Sequence, residues 1–138
     1  MKYFKTLGLA LILVLFPASS VFAQEASDKG LVVPIADDGV QRVEITGGSY
    51  YFSPDHLVVK VNVPVEFIVK KEGKKPHSIA MKAPEAGMEF SEKLGSKPIS
   101  IRFTPTKTGK FPFWCTKKFP FMKSHKDRGM QGVLEVVD

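Results

Sequence analysis

The chain has 138 residues, a formal net charge of +6 and one cysteine. This length provides for one domain of ordinary size, and a single cysteine excludes an internal disulfide. The positive charge is too small and too dispersed along the sequence to indicate nucleic-acid binding.

The N-terminus has the pattern of a secretory signal peptide over residues 1–23. Two lysines in Met1–Lys5 precede an apolar run from Leu7 to Phe16, and Val21 and Ala23 provide small residues at the −3 and −1 positions of a cleavage site before Gln24. The apolar run is shorter than the roughly 20 residues that a membrane-spanning helix needs. We therefore predict export to the periplasm, cleavage near Ala23/Gln24 and no stable membrane insertion afterwards. Loss of the two lysines lowers the net charge from +6 to +4.

The rest of the chain has the pattern of short β-strands separated by turn residues. Apolar-rich segments of a few residues are bounded by Gly, Pro, Asn or Asp, which is typical of an antiparallel sandwich or barrel. The predicted strands include Val43–Ile45, Leu57–Val61, Val65–Lys70, His77–Lys82, Ile99–Phe103, Phe111–Cys115 and Val133–Val137. Residues Pro84 to Pro98 form the longest irregular stretch, for which we predict at most a short helical turn. The sequence therefore predicts an all-β fold.

The last 24 residues contain side chains suited to a soft metal ion. Cys115, His125 and Met130 lie in this segment, and His77 opens an earlier apolar strand. Thiolate, imidazole and thioether ligands suit copper better than magnesium or calcium. Ligation would also protect a free thiol in an oxidising compartment. We predict one copper ion held by His77, Cys115 and His125, with Met130 as a weak axial ligand.

The alternation of apolar residues explains how these ligands could meet. Cys115 shares a strand face with Phe111 and Phe113, and His77 shares one with Ile79 and Met81, so both lie at the ends of core-facing strands. The loop Thr116 to Arg128 would then bring His125 and Met130 over the same end. Three alternatives stay open: an inert core cysteine, Met130 as a core residue only, and Met122 as the axial ligand. His56 is predicted to lie in the Ser53-Pro54-Asp55 turn, away from the cluster, as a polar surface residue or a satisfied core residue.

Several segments, in this order, resemble the cupredoxins, the plastocyanin and azurin family of small copper proteins. They are Tyr51-Phe52-Ser53-Pro54, Pro76-His77-Ser78-Ile79, Thr108-Gly109-Lys110-Phe111-Pro112-Phe113-Trp114-Cys115, and His125 followed by Met130 and Gly132. The resemblance implies a Greek-key β-sandwich or barrel over residues 40–138, preceded by a leader and first strand in 24–39. It also implies a Cu(I)/Cu(II) centre with the ligands named above. The nine residues between Cys115 and His125 are more than is usual for this family.

The expected function is a periplasmic blue-copper electron carrier that shuttles single electrons between redox partner proteins. Four protein ligands would leave no open position for a substrate, so we expect no enzyme activity. One alternative is a copper-delivery protein, in which the methionines would assist the transfer of Cu(I). The other is a metal-free interaction module. We expect a monomer.

The loop between Cys115 and His125 contains an apolar tip, Phe119-Pro120-Phe121-Met122, surrounded by Lys117, Lys118, Lys123, Lys126 and Arg128. Such a patch would suit docking to an acidic redox partner. Alternatively, the phenylalanines fold back over the metal and the lysines are only solvated.

Overall fold

The computed structural model describes residues 29–138, which form ten β-strands and one 3₁₀ turn. The predicted signal peptide, residues 1–23, lies outside the described residues. The strands are β1 (Leu31–Val32), β2 (Gln41–Gly48), β3 (Tyr51–Ser53), β4 (His56–Lys60), β5 (Val65–Lys71), β6 (His77–Ala83), β7 (Met88–Leu94), β8 (Ile99–Phe103), β9 (Gly109–Trp114) and β10 (Gln131–Val137). Within the described residues, no helix is long and apolar enough to cross a membrane.

The strands form two sheets packed as a sandwich. The larger sheet has the order β1-β4-β10-β9-β6-β7, and the smaller has the order β3-β2-β5-β8. The predicted all-β sandwich is confirmed, but both sheets are mixed rather than purely antiparallel. β4 runs parallel to both β1 and β10, and β2 runs parallel to β5. These parallel pairs arise because the chain crosses between sheets, which places strands that are distant in sequence side by side.

The core lies between the two sheets and consists of side chains that alternate along the strands. In β2, Val43 and Ile45 are buried while Glu44 is exposed, and in β4 the buried positions are Leu57 and Val59. Phe67 and Phe113 are fully buried, and their rings contact each other edge to face at 5.9 Å between centroids. Aromatic packing of this kind fixes how the sheets stack, and therefore where the ends of β6 and β9 lie.

The stretch Pro84–Pro98 differs from its prediction as an irregular segment. A 3₁₀ turn spans Pro84–Ala86, and Met88–Leu94 forms β7, an edge strand of the larger sheet paired with β6. Only Met88 and Leu94 are buried in β7, and four of the intervening residues are exposed. An edge strand with so few buried positions has little apolar alternation, which is why the pattern did not reveal it.

An ion-pair network crosses the smaller sheet away from the predicted ligands. The Glu66 carboxylate on β5 accepts hydrogen bonds from Ser100, Arg102 and Arg42 on the neighbouring strands. These hydrogen bonds, that from Ser100 foremost, lower the pKa of Glu66 from 4.5 to about 2. Because Glu66 is 7% exposed, the network lets a charged residue occupy a nearly buried position.

Candidate metal centre

The structure brings His77, Cys115 and His125 together at one end of the sandwich. His77 is the first residue of β6, Cys115 directly follows β9, and His125 lies in the loop 116–129 that joins β9 to β10. Met130 directly precedes β10. Each of the four is at most 1% exposed.

The three donor atoms converge within a small volume. The ligand atoms of His77, Cys115 and His125 all lie within 4.8 Å of one another. The two Nδ1 atoms are 3.2 Å apart, and Cys115 Sγ is 3.6 Å from His125 Nδ1. Two imidazole nitrogens and one cysteine sulfur this close together are a donor set that suits copper.

Both histidines favour the neutral form that binds metals. Burial lowers the pKa of His77, with further lowering by His125, Lys71 and Lys75. Burial also lowers the pKa of His125, and Lys75, Arg128 and Lys117 add to this effect. Nε2 of each ring is buried and has no hydrogen-bond partner among the described residues. A proton on Nε2 leaves both Nδ1 lone pairs available at the shared centre.

Local hydrogen bonds in the loop position His125. The Ser124 hydroxyl accepts a hydrogen bond from the Asp127 backbone N–H at 3.0 Å and donates one to the Asp127 carboxylate at 2.6 Å. Ser124 thus caps a helical turn, in which the Arg128 N–H donates to the Ser124 carbonyl at 3.2 Å. The backbone N–H of His125 donates to the Lys117 carbonyl at 2.9 Å, and that of Met130 donates to the His125 carbonyl at 3.0 Å. The long loop is therefore an ordered structure that returns His125 to the site.

Ser78 lies beside the Cys115 sulfur, and Thr116 contacts the Ser78 hydroxyl. The Ser78 N–H lies 3.4 Å from Sγ, and the Ser78 hydroxyl lies 3.6 Å from it. The same hydroxyl accepts a hydrogen bond from the Thr116 N–H and contacts the Thr116 hydroxyl, both at 2.8 Å. Hydrogen bonding to a ligand sulfur tunes the electronic properties of a thiolate–metal bond. Neither Ser78 nor Thr116 was predicted to act at the site, although each directly follows a predicted ligand.

Aromatic side chains cover the His125 ring on the outer side. Tyr50 meets it edge to face at 5.1 Å, and Phe119 lies 5.7 Å away between centroids. Tyr50 is itself held by cations, because the Lys75 ammonium is 3.2 Å from its hydroxyl and the Arg128 guanidinium lies 4.8 Å from its ring centre. The hydrogen bond from Lys75 and the charge of Arg128 lower the pKa of Tyr50. These contacts separate His125 from solvent.

The methionines differ sharply in burial. Met130 is fully buried, and its backbone carbonyl accepts the Cys115 N–H at 3.0 Å. Its terminal methyl lies 3.2 Å from where a Cβ on Gly47 would stand, so Gly47 leaves the space that Met130 occupies. Met122 is 47% exposed on the loop tip. This difference favours Met130 over Met122 as the axial candidate.

Gly132 and His56 complete the set of residues that the sequence singled out. A Cβ at Gly132 would lie 2.3 Å from the Phe113 ring and 2.5 Å from the Asp55 carbonyl oxygen, so a side chain has no room there. His56 is outside the cluster and contacts the Glu135 carboxylate at 3.0 Å.

Comparison with known proteins identifies the family. The sequence profile of the cupredoxin-like domain matches residues 8–134, and the chain belongs to this family. No curated protein sequence matches the chain significantly.

Solved structures share the fold at low sequence identity. The metal-binding domain of a Cu(I)-exporting P-type ATPase from Streptococcus pneumoniae, determined with Cu(I), has 19% identity and a TM-score of 0.61, covering 78% of this chain and 95% of that domain. A copper-binding protein in its apo form has 20% identity and a TM-score of 0.59, covering 79% and 98%. Dithionite-reduced auracyanin from Roseiflexus castenholzii has 21% identity and a TM-score of 0.51, covering 70% and 97%.

Proposed function

We propose that this protein is an exported, single-copper electron carrier with the ligands His77, Cys115, His125 and Met130. The observation that carries the proposal is the convergence of two imidazole nitrogens and one cysteine sulfur within 4.8 Å in a buried site. Copper bound there would supply one-electron cycling between Cu(I) and Cu(II). The signal-peptide pattern of residues 1–23 supports a periplasmic location.

The chain contributes rigidity and exclusion of water to this function. His77 and Cys115 are anchored at the ends of two paired strands, and His125 is held by the turn at Ser124. Anchored ligands limit rearrangement when the charge of the site changes, which suits electron transfer. Burial also favours a carrier over an enzyme, because each of the three donor residues is only 1% exposed and is therefore shielded from a dissolved substrate.

Copper delivery is the second candidate, favoured by one specific observation. Met122 is 47% exposed on the same loop that carries His125, and an exposed thioether could take part in transferring Cu(I). Against delivery, the converging ligands are all buried, whereas transfer by ligand exchange requires at least one accessible donor. Exchange of bound copper with a chelator within seconds would favour delivery over the carrier.

The test is the visible spectrum of the mature protein after addition of one equivalent of Cu(II). We expect an intense thiolate-to-copper charge-transfer band that disappears reversibly on reduction. Cys115→Ala and His125→Gln should abolish the band, and the matched control His56→Gln should retain it because His56 is outside the cluster. A wild-type protein that folds but shows no such band would refute the proposed copper centre.

A further inference from the structure

The strongest unassigned feature is the tip of the ligand loop, Phe119–Met122, which displays apolar side chains to solvent. Phe121 is fully exposed at 108%, while Phe119 and Met122 are 41% and 47% exposed. Apolar side chains gathered on one protruding turn indicate a contact surface rather than part of the core. The alternative in which the phenylalanines fold back over the metal is therefore wrong for Phe121, whereas Phe119 contacts the His125 ring.

The backbone of the tip is unfavourable for the residue that it displays. The Met122 N–H donates to the Phe119 carbonyl at 3.2 Å, which closes a four-residue turn with Pro120 and Phe121 in the middle. Phe121 has φ of 60°, a left-handed conformation for which such turns normally use glycine. A bulky residue in this conformation costs stability and makes no compensating burial. Phe121 therefore does not stabilise the isolated protein.

The charge of the described chain is concentrated around this tip. Segments 71–75 and 116–130 contain eight cationic and two acidic residues, whereas the other described residues contain ten of each. These two segments thus account for the whole net positive charge of the described chain. Lys75 and Arg128 each lie 4.8 Å from the centre of the Tyr50 ring, and that ring contacts His125 at 5.1 Å, so cations from both segments lie beside the candidate metal centre.

We propose that the tip Phe119–Met122 and the surrounding cations form the docking surface for an acidic redox protein. The partner would place an apolar spot against Phe121 and Met122 and carboxylates against the lysines. This proposal deepens the proposed function, on which it rests, by naming the chemistry of the partner. A protein is favoured over an anionic membrane because the tip leads to the ligand His125 through Phe119, and electron transfer needs that approach.

Binding to an acidic redox protein tests the docking surface without requiring copper. The ¹⁵N-labelled, metal-free protein is titrated with oxidised flavodoxin, a small acidic redox protein, and amide shifts are mapped. We expect shifts concentrated in residues 117–128 and at Lys75. We expect binding about fivefold or more weaker at 0.15 M salt than at 0.01 M, because the Debye length falls from about 30 Å to about 8 Å. The same titration with cytochrome c, a basic redox protein, should show no binding.

Three variants separate docking from structural effects. Lys118→Glu with Lys123→Glu should weaken binding by about tenfold or more, whereas Lys60→Glu with Lys107→Glu, at the opposite end of the sandwich, should change it less than about twofold. Phe121→Gly should weaken binding severalfold while the denaturant midpoint stays equal or rises, because glycine suits the turn.

Several outcomes would overturn the proposal. These are equal effects of the two charge-reversal pairs, shifts confined to another surface, or no flavodoxin binding. Binding through Phe121 to vesicles of phosphatidylcholine and phosphatidylglycerol, without flavodoxin binding, would instead assign the tip to a membrane surface. Because copper is not required, a missing charge-transfer band would refute the proposed function and leave this result standing independently.

Discussion

Substitutions at Met130 can show whether this side chain acts as a metal ligand or only as a core residue. Its side chain is fully buried, and its methyl packs into the space left by Gly47. Met130→Leu nearly conserves volume and should lower the free energy of unfolding of the metal-free protein by less than about 1.5 kcal/mol. Met130→Ala removes three heavy atoms from a closed site and should cost about 2–5 kcal/mol.

The copper-loaded protein should respond differently from the metal-free protein. The thioether donor would stabilise the more highly charged cupric form. Met130→Leu removes this donor, so the reduction potential should rise. An increase on the order of 60 mV corresponds to about 1.4 kcal/mol for one electron. Met122→Leu is the matched control. Met122 is 47% exposed, so we expect its replacement to change stability by less than about 0.5 kcal/mol and to leave the spectrum unchanged.

Guanidinium unfolding of the metal-free variants measures the packing contribution, and a spectroscopic redox titration of the loaded variants measures the ligand contribution. If Met130→Leu leaves both the charge-transfer band and the potential unchanged, Met130 is a packing residue only. If Met122→Leu changes them instead, the axial ligand comes from the loop tip and the assignment made from burial is wrong.

Three further predictions follow from contacts elsewhere. Because Glu66 has a pKa of about 2 instead of 4.5, its ion pairs stabilise the fold above about pH 4.5, and this stabilisation is lost as the pH falls towards 2. Urea unfolding at a series of pH values should therefore show a smaller decline of the unfolding free energy in that window for Glu66→Gln than for the wild type. Gly132→Ala places a Cβ against Phe113 and should lower the free energy of unfolding by about 1–3 kcal/mol or prevent folding. Its control is Gly95→Ala, whose Cβ would have no described neighbour closer than 3.9 Å and which should leave the thermal unfolding temperature unchanged. Ser78→Ala removes the hydroxyl near the Cys115 sulfur and should cost about 1–2 kcal/mol in denaturant unfolding. In the copper-loaded protein, this variant should also shift the charge-transfer band, and an unchanged band would show that the hydroxyl does not act on the sulfur.

The alternation of apolar residues predicted β8 from the sequence but did not predict β7. Ile99–Phe103 alternates cleanly and is β8, whereas β7 buries little besides its two ends and was predicted as irregular. The parallel pairing of β4 with β10 could not be predicted either. Apolar alternation shows which residues of a strand face the core, but not which distant strand pairs with it.

The clustering of His77, Cys115 and His125 was predictable to the extent that chemical identity limits the choices. One cysteine and three histidines leave few soft-ligand combinations, and strand ends explain why His77 and Cys115 meet. The hydroxyl of Ser78 and the ring of Tyr50 were not predicted. Their roles depend on how two sheets and a loop approach one another, and residue type alone gives no signal for that approach. The Ser124–Asp127 spacing is a local signal that would have predicted the turn carrying His125.

The enclosure of His125 has a kinetic consequence. Tyr50 and Phe119 cover its ring, its backbone N–H donates to the Lys117 carbonyl, and His125 itself is 1% exposed, so we expect the loop to shield an ion at the centre from solvent. Exchange with the surroundings would then require local unfolding of residues 116–129. The lifetime of the bound ion would be governed by the frequency of that opening rather than by affinity alone. Uptake should accordingly reach a plateau rate that no longer increases with metal concentration.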